Sequence, residues 1–372
     1  MDRARIYIEP LDIRARIVKP QPAGLPVVNL SFNELPWPPS DTVQMAIDAT
    51  ASKANLYGNP SCQLLRTALA NTWNLNHEQL ICGNGSEELL DVIGRVFARS
   101  GDEILMSAYG YIQFPIVANR VGATLVKAPE SAYTTSVDAL LEKVTDKTTL
   151  VYLANPNNPT GTMIDEDELR RLASSLPAKS VLVIDLAYGE FAGKDYCGSM
   201  HRLVSEFNNV IITQTFSKAY GLAGLRIGWL YAPEWMVPAL YAARGMGTAN
   251  AVAQAAAIAA LEDIETMHSR VKIIVNERER VQRQLSTMGV SVVSSSANFV
   301  MAALDATLDS DDVILSGGAG SADALAAHLY DDAGILVNQT REAGLEKFIR
   351  FSISLPEHND RLLASLAEFV RD

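Results

Sequence analysis

Thr215-Phe216-Ser217-Lys218-Ala219-Tyr220-Gly221-Leu222-Ala223-Gly224-Leu225-Arg226-Ile227-Gly228-Trp229 is the stretch on which the reading of this chain turns. A single lysine, Lys218, stands among small, hydroxylated and glycine residues, with Arg226 eight positions later. The apolar run Val210-Ile211-Ile212 before it reads as a strand, so Lys218 falls on the loop where that strand ends. Held there away from bulk water, a lysine sheds its proton and acts as an amine nucleophile toward an aldehyde. Thr215, Ser217 and Arg226 add two hydroxyls and a forked cation, which suit a phosphate dianion. An aldehyde and a phosphate on one ligand describe pyridoxal 5'-phosphate (PLP).

The bulk numbers narrow the field. At 372 residues the chain suits one large or two medium domains, and 48% hydrophobic residues are ample for a core. A formal net charge of -12 argues against nucleic acid as main partner, because a phosphate backbone rewards clustered Lys and Arg. Cys62, Cys82 and Cys197 are odd in number, far apart and without a histidine cluster, so neither disulfide framework nor metal site is indicated. Reduced, buried thiols fit a cytoplasmic protein. Met1 to Pro20 has no unbroken apolar core, and the apolar stretch Ala249 to Leu261 is too short to span a bilayer.

The first 40 residues are proline-rich and read as an extended arm with one short strand, Val27 to Leu30. From Asp41 the chain becomes regular. Helices are expected from Ser40/Asp41 to Ser52 and from Ser61 to Trp73, then over Glu87–Ala98, Ile112–Val121, Val137–Val144 and Glu166–Ser175. Between them, short continuous apolar runs read as strands: Glu103–Met106, Thr124–Val126, Thr149–Leu153, Val181–Ile184, Val210–Ile212 and Leu230–Tyr231. That alternation implies an α/β fold with a mostly parallel sheet covered on both faces. Beyond Leu261 come a long charged helix (Met267–Met288), strands at Val290–Ser294, Phe299–Leu304, Gly334–Val337 and Phe348–Ile353, and helices at Ala322–Asp332 and Pro356–Val370. These read as an α+β cap with antiparallel strands. The glycine-rich Ser316–Ser321 matches neither phosphate-binding pattern and reads as a loop. The expected division is an arm over 1–40 that joins the small domain, a large cofactor-binding domain over 41–260, and a small α+β domain over 261–372.

Other chemically loaded segments fall at strand ends, where open parallel sheets bind ligands. Gly83-Asn84-Gly85-Ser86 opens a helix whose free N–H groups suit a phosphate, although a capped turn alone would look the same. In Asn155-Pro156-Asn157-Asn158-Pro159-Thr160-Gly161, two prolines fix the backbone so that the Asn158 amide can donate to a ligand oxygen. Asp185, in Ile184-Asp185-Leu186-Ala187-Tyr188, suits a protonated pyridine nitrogen, and Tyr188 a phenolate-type oxygen. Tyr109 and Tyr111 follow a strand, where either ring can stack on a flat cofactor.

Taken together, these segments have the order and spacing of a known family: the chain resembles the fold-type I PLP-dependent aminotransferases, and within them the histidinol-phosphate aminotransferase-like branch, from about Leu30 to Asp372. The resemblance implies a three-layer fold and a Schiff base at Lys218, which then shuttles a proton. It implies that Asp185 holds the pyridinium, and that Asn158 and Tyr188 bond the ring oxygen. Tyr111, three residues before Phe114-Pro115, is the expected stacking ring. Ser217, Thr215, Arg226 and the Gly85-Ser86 backbone are implied for the phosphate. Tyr57, in Leu56-Tyr57-Gly58-Asn59-Pro60, matches a tyrosine that reaches the partner subunit's cofactor, implying a homodimer. Arg350 matches the arginine that grips the substrate carboxylate, and Asn33 lies in a segment that folds over the substrate.

The substrate side departs from the branch. Asn338 stands in Gly334-Ile335-Leu336-Val337-Asn338 where a phosphate-binding arginine is usual, with Arg341 shifted along the loop. Arg244-Gly245-Met246-Gly247-Thr248-Ala249-Asn250 has Gly247 in place of an aromatic, and Gln214 replaces an arginine. Because a phosphate dianion needs compensating charge, the expectation is transamination of a non-phosphorylated L-amino acid, with an aromatic or bulky side chain favoured, to a 2-oxo acid. Histidinol phosphate is the alternative substrate, and a decarboxylase or other lyase on the same fold the alternative reaction. A dehydrogenase is disfavoured by the lack of GxGxxG after a first strand, and a PLP-sensing regulator by the lack of a basic helix-turn-helix segment.

Overall fold

The computed structural model describes residues 24–304 and 319–371, together with Ile8 and Pro22. The chain begins with β1 (Val28–Asn29), α1 (Asp41–Ala51), α2 (Gln63–Trp73), β2 (Leu80–Gly83) and α3 (Ser86–Phe97). Next come β3 (Glu103–Ser107), α4 (Gln113–Val121), β4 (Thr124–Ala128), a hairpin of β5 (Glu130–Ser131) and β6 (Thr134–Thr135), and α5 (Val137–Lys143). Then follow β7 (Thr148–Ala154), α6 (Glu166–Ser175), β8 (Val181–Asp185), α7 (Tyr196–Glu206), β9 (Val210–Thr215) and β10 (Gly228–Tyr231). Helices α8 (Val237–Ala243), α9 (Ala251–Glu262) and α10 (Ile264–Thr287) lead to β11 (Ser291–Val293) and β12 (Phe299–Ala303). The chain closes with α11 (Ala319–Asp331), β13 (Ile335–Leu336), β14 (Ile349–Ser352) and α12 (Pro356–Arg371).

Seven strands form the central sheet in the order β2-β10-β9-β8-β7-β3-β4. All pairings are parallel except those of β10, which runs antiparallel to both β2 and β9. The continuous apolar runs have a physical cause: every strand but the edge strand β4 is buried on both faces, and the period of two sends alternate side chains to opposite cores. On β7, Val151 and Leu153 join Leu105, Leu182, Ile184 and Ile212 on one side. Leu150 and Tyr152 join Ile104, Met106, Val183 and Ile211 on the other. Local signals set the connections. The Asp165 side chain caps α6 by accepting from Glu168 N at 2.9 Å, and Gly122 ends α4 in the left-handed region at φ 71°.

Past α10, β11-β12-β14 form an antiparallel sheet as expected, whereas β1 pairs with β13 in parallel. This parallel pair joins the start of the described chain to its last quarter, a contact that local sequence does not announce. Three expectations shift. The cap residue of α2 is Cys62 at φ 52° rather than Ser61, because Ser61 spends its hydroxyl on Asn59 Oδ1 at 2.8 Å. The hairpin β5–β6, α7 and α8 were not anticipated. The segment read as a Ser316–Ser321 loop lies outside the described residues up to 318, and its last three residues open α11.

Gly228 starts β10 directly beside the ends of β9 and β2, opposite Thr215 and Gly83. A Cβ there would stand 2.6 Å from Ser86 N and 2.8 Å from Gln214 O, both backbone atoms that cannot swing away. The strand is thus pressed against the N-terminus of α3, which fixes that terminus at the sheet edge. Gly228→Ala is expected to cost about 1–3 kcal/mol through overpacking, read as a lower urea midpoint in equilibrium unfolding.

Candidate functional site

Strands β7, β8 and β9 carry Ala154, Asp185 and Thr215 to one end of the sheet, where a cavity of about 590 Å³ opens. Lys218 lies on the turn beyond β9, and its Nζ donates to Phe32 O at 2.8 Å. Burial is the main force lowering its pKa to about 7, and the Arg350 guanidinium pushes the same way, against the upward pull of Glu34 and Glu87. A lysine so tuned is largely a free amine just above neutral pH.

Asp185 ends β8 and is 2% exposed. Burial raises its carboxyl to about 7, although the Thr213 hydroxyl, opposite it on β9, donates at 2.8 Å and the Ala187 backbone also favours the charged form. Tyr188, pushed up to about 12 chiefly by burial, receives a hydrogen bond from Asn33 Nδ2 at 2.9 Å. Asn33 itself sits at φ 56°, and its backbone N donates to Ser352 Oγ at 2.8 Å. Asn158 lines the same cavity, and its Oδ1 accepts from Arg350 Nη1, which leaves the amide N–H groups for a ligand. Tyr111 lines the cavity and donates to Glu87 Oε1 at 2.6 Å. Tyr109 is turned away, packing on Tyr133 with ring centroids 5.9 Å apart.

Donors cluster at the other end. Thr215 Oγ1 and Ser217 Oγ are 3.0 Å apart, and Arg226 Nη1 reaches Ser217 Oγ at 3.3 Å. Arg226 Nη2 pairs with Glu87 Oε2 at 3.0 Å. Ser86 opens α3, so the helix terminus faces the cavity. Gly85, at φ 81°, lies so close that a Cβ would be 2.8 Å from Arg226 Nη2. Hydroxyls, a guanidinium and a helix N-terminus form a donor set made for a phosphate.

Arg350, on β14, is 5% exposed and lines the cavity, with Nη2 donating to Ser31 O at 3.0 Å. Four residues singled out from sequence lie elsewhere. Asn338 pairs its backbone with Arg350 and turns its side chain onto Thr340 N at 2.7 Å. Gly247 has nothing within 4 Å of a built Cβ, and Tyr57 is fully exposed. Arg341 is exposed and paired with Asp323. Sequence reasoning did not single out Phe32, Glu34, Glu87 or Arg120, all in the lining. Glu87 was visible as an acid in the first turn of a helix. Phe32 acts through a backbone carbonyl, which leaves no residue signature.

The donor set fits PLP on its own chemistry. A buried carboxyl with only neutral donors gains from a cationic pyridinium nitrogen, and a depressed lysine sits across the cavity from it. The family model for aminotransferase class I and II matches residues 26–369. The chain belongs to this family. As an aminotransferase it is 37% identical over 350 residues to the histidinol-phosphate aminotransferase of Rhodopseudomonas palustris (strain HaA2), covering 94% of this chain and 92% of that protein. It is 38% identical over 344 residues to the one of Jannaschia sp. (strain CCS1), covering 92% and 91%. The crystal structure of histidinol-phosphate aminotransferase from Sinorhizobium meliloti, in complex with PLP, superposes with a TM-score of 0.84 at 31% identity, over 93% and 91% of the two chains. The protein is a PLP-dependent transaminase of fold type I, in the histidinol-phosphate aminotransferase-like branch.

These relatives overturn the expectation of a non-phosphorylated amino acid, which rested on the missing arginine at Asn338. The premise was too narrow. Asn338 is occupied in its own loop, while Arg350 places guanidinium charge in the cavity wall. The aminotransferase assignment also leaves the lyase alternative without support.

The Asp185 shift gives a stability test. Its folded pKa of about 7 lies above the ordinary 3.8, so folding is penalised as pH rises through that interval. In cofactor-free protein, Asp185→Asn is expected to stabilise by on the order of 2–4 kcal/mol at pH 8, with the gain vanishing near pH 4, as read by urea unfolding at both pH values.

Proposed function

We propose that the enzyme transfers the amino group of histidinol phosphate to a 2-oxo acid, working as a homodimer in the cytoplasm. The observation that carries this reading is the near full-length likeness to relatives of that name. When bound, PLP supplies an aldehyde that an amine can hold covalently and a ring that takes up the electron pair left at the substrate Cα. Lys218 Nζ is the amine that would hold the aldehyde and that would afterwards move the proton at the substrate Cα. Its depressed pKa supports both tasks at neutral pH. Asp185 holds the pyridine nitrogen in its protonated form, a pairing that offsets the cost of burying the carboxylate. Asn158 and Tyr188 would donate to the ring oxygen, and Tyr111, in the same lining, would cover the ring. Ser86, Gly85, Thr215, Ser217 and Arg226 hold the phosphate.

Arg350 is the anion fork on the substrate side: it takes the carboxylate of the 2-oxo acid in one half-reaction and the phosphate of the donor in the other. Asn33, bonded to Tyr188, closes the site above it. The fully exposed Tyr57, together with the exposed Leu56, Leu64 and Met45 of the same stretch of chain, supports a subunit interface across which Tyr57 reaches the partner's site. Buried, unpaired Cys62, Cys82 and Cys197 support a reducing compartment. Among the described residues, no helix is long and apolar enough to cross a membrane.

A donor panel against 2-oxoglutarate tests the substrate. Histidinol phosphate is expected to give the highest kcat/KM by a wide margin, and an aromatic amino acid that equalled it would sink the proposal. Lys218→Ala is expected to lose about 10²–10⁴-fold in turnover and to leave no borohydride-fixed cofactor on that peptide. For the shared site, Lys218→Ala and Tyr57→Ala chains are each expected to be impaired alone and to regain activity on mixing and refolding together. An absence of recovery in verified hybrids would argue against Tyr57 acting across the interface.

A further inference from the structure

Glu87 is an acid in a place built for an anion. It stands in the first turn of α3, next to Ser86, with Oε2 3.0 Å from Arg226 Nη2 and Oε1 accepting from Tyr111 OH at 2.6 Å. One carboxylate therefore ties together the guanidinium of the phosphate cradle and the ring expected to cover the cofactor. The two ties have opposite consequences. The bond to Tyr111 fixes the ring at the cavity wall. The bond to Arg226 cancels charge that a phosphate dianion needs, and a carboxylate so near repels that dianion. Nothing else in the cradle calls for a negative charge: Ser217 Oγ and Ala223 O already accept from Arg226, and Thr215 bonds Ser217, all through neutral groups.

We infer that Glu87 is a positioning residue that holds Tyr111 and Arg226 in one frame while lowering the enzyme's affinity for the cofactor phosphate. The inference rests on the reading of this cradle as the PLP phosphate site. A carboxylate with both oxygens engaged orders two groups that would otherwise be free to rotate, and the phosphate must then share Arg226 with it. Cofactor retention is set below what the remaining donors would give.

Charge and hydrogen bonding separate in two variants. Glu87→Gln keeps an acceptor for Tyr111 and removes the charge; Glu87→Ala removes both. Full-length protein freed of cofactor would be titrated with PLP and, as the probe lacking a phosphate, with pyridoxal, following protein fluorescence and cofactor absorbance. Glu87→Gln is expected to bind PLP about tenfold more tightly than wild type and pyridoxal equally well. Glu87→Ala is expected to gain less for PLP and to bind pyridoxal more weakly, because Tyr111 loses its partner. Equal or weaker PLP binding by Glu87→Gln would overturn the inference, as would a gain that pyridoxal shares in full. Failure of wild-type protein to bind PLP would instead remove the phosphate-site reading, and this inference with it.

Discussion

Two opposite ionisable groups are driven toward neutrality by the same dry sheet end, and the rest of the site answers to that constraint. Asp185 is buried at the end of β8 and Lys218 half-buried just past the end of the adjacent β9, and desolvation moves their pKa values toward each other, to about 7 in both cases. Neither is placed to neutralise the other: Asp185 bonds Thr213, and Lys218 bonds Phe32 O. Both charges are held ready for a ligand that supplies the missing counterparts. Behind them, the central strands of the sheet are packed with apolar side chains on both faces.

Rigid backbone does the positioning. Asp185 and Thr213 face each other in register, so their hydrogen bond is fixed by strand pairing rather than by side-chain search. The antiparallel β10 brings Gly228 against Ser86 and sets the α3 terminus beside the Thr215–Ser217 hydroxyls. Hydroxyls, guanidinium and helix terminus therefore meet at the ends of β2, β10 and β9, neighbours in the sheet although β2 lies far from the other two in sequence. The acid at Glu87 stands against this pattern and is the one element of the cradle that opposes its evident charge.

Much of this was legible in the sequence. Short apolar runs between helices gave the parallel sheet, because strands buried on both faces need no polar alternation. Lys218, Asp185 and Asn158 were legible because strand-end polar residues beside glycine or proline are hard to explain as core. Less legible were β1 pairing with β13, which depends on distant partners, and Phe32, which acts through its carbonyl. The substrate was misread at Asn338 for a related reason. A missing cation at one sequence position says little when Arg350, on β14, brings charge to the cavity wall from another element.

The segment Ser31-Phe32-Asn33 ties together groups from the whole length of the chain: Ser31 O accepts from Arg350, Phe32 O from Lys218, and Asn33 bonds both Tyr188 and Ser352. The Asn33–Ser352 partners are 319 residues apart, so this contact closes nearly the largest loop the chain can make. Closing a loop of that length is entropically among the costliest steps open to the chain. On the ribosome, the first residues of this clasp emerge long before β14 exists to receive them. The cover over amine and carboxyl therefore closes only when synthesis is all but complete.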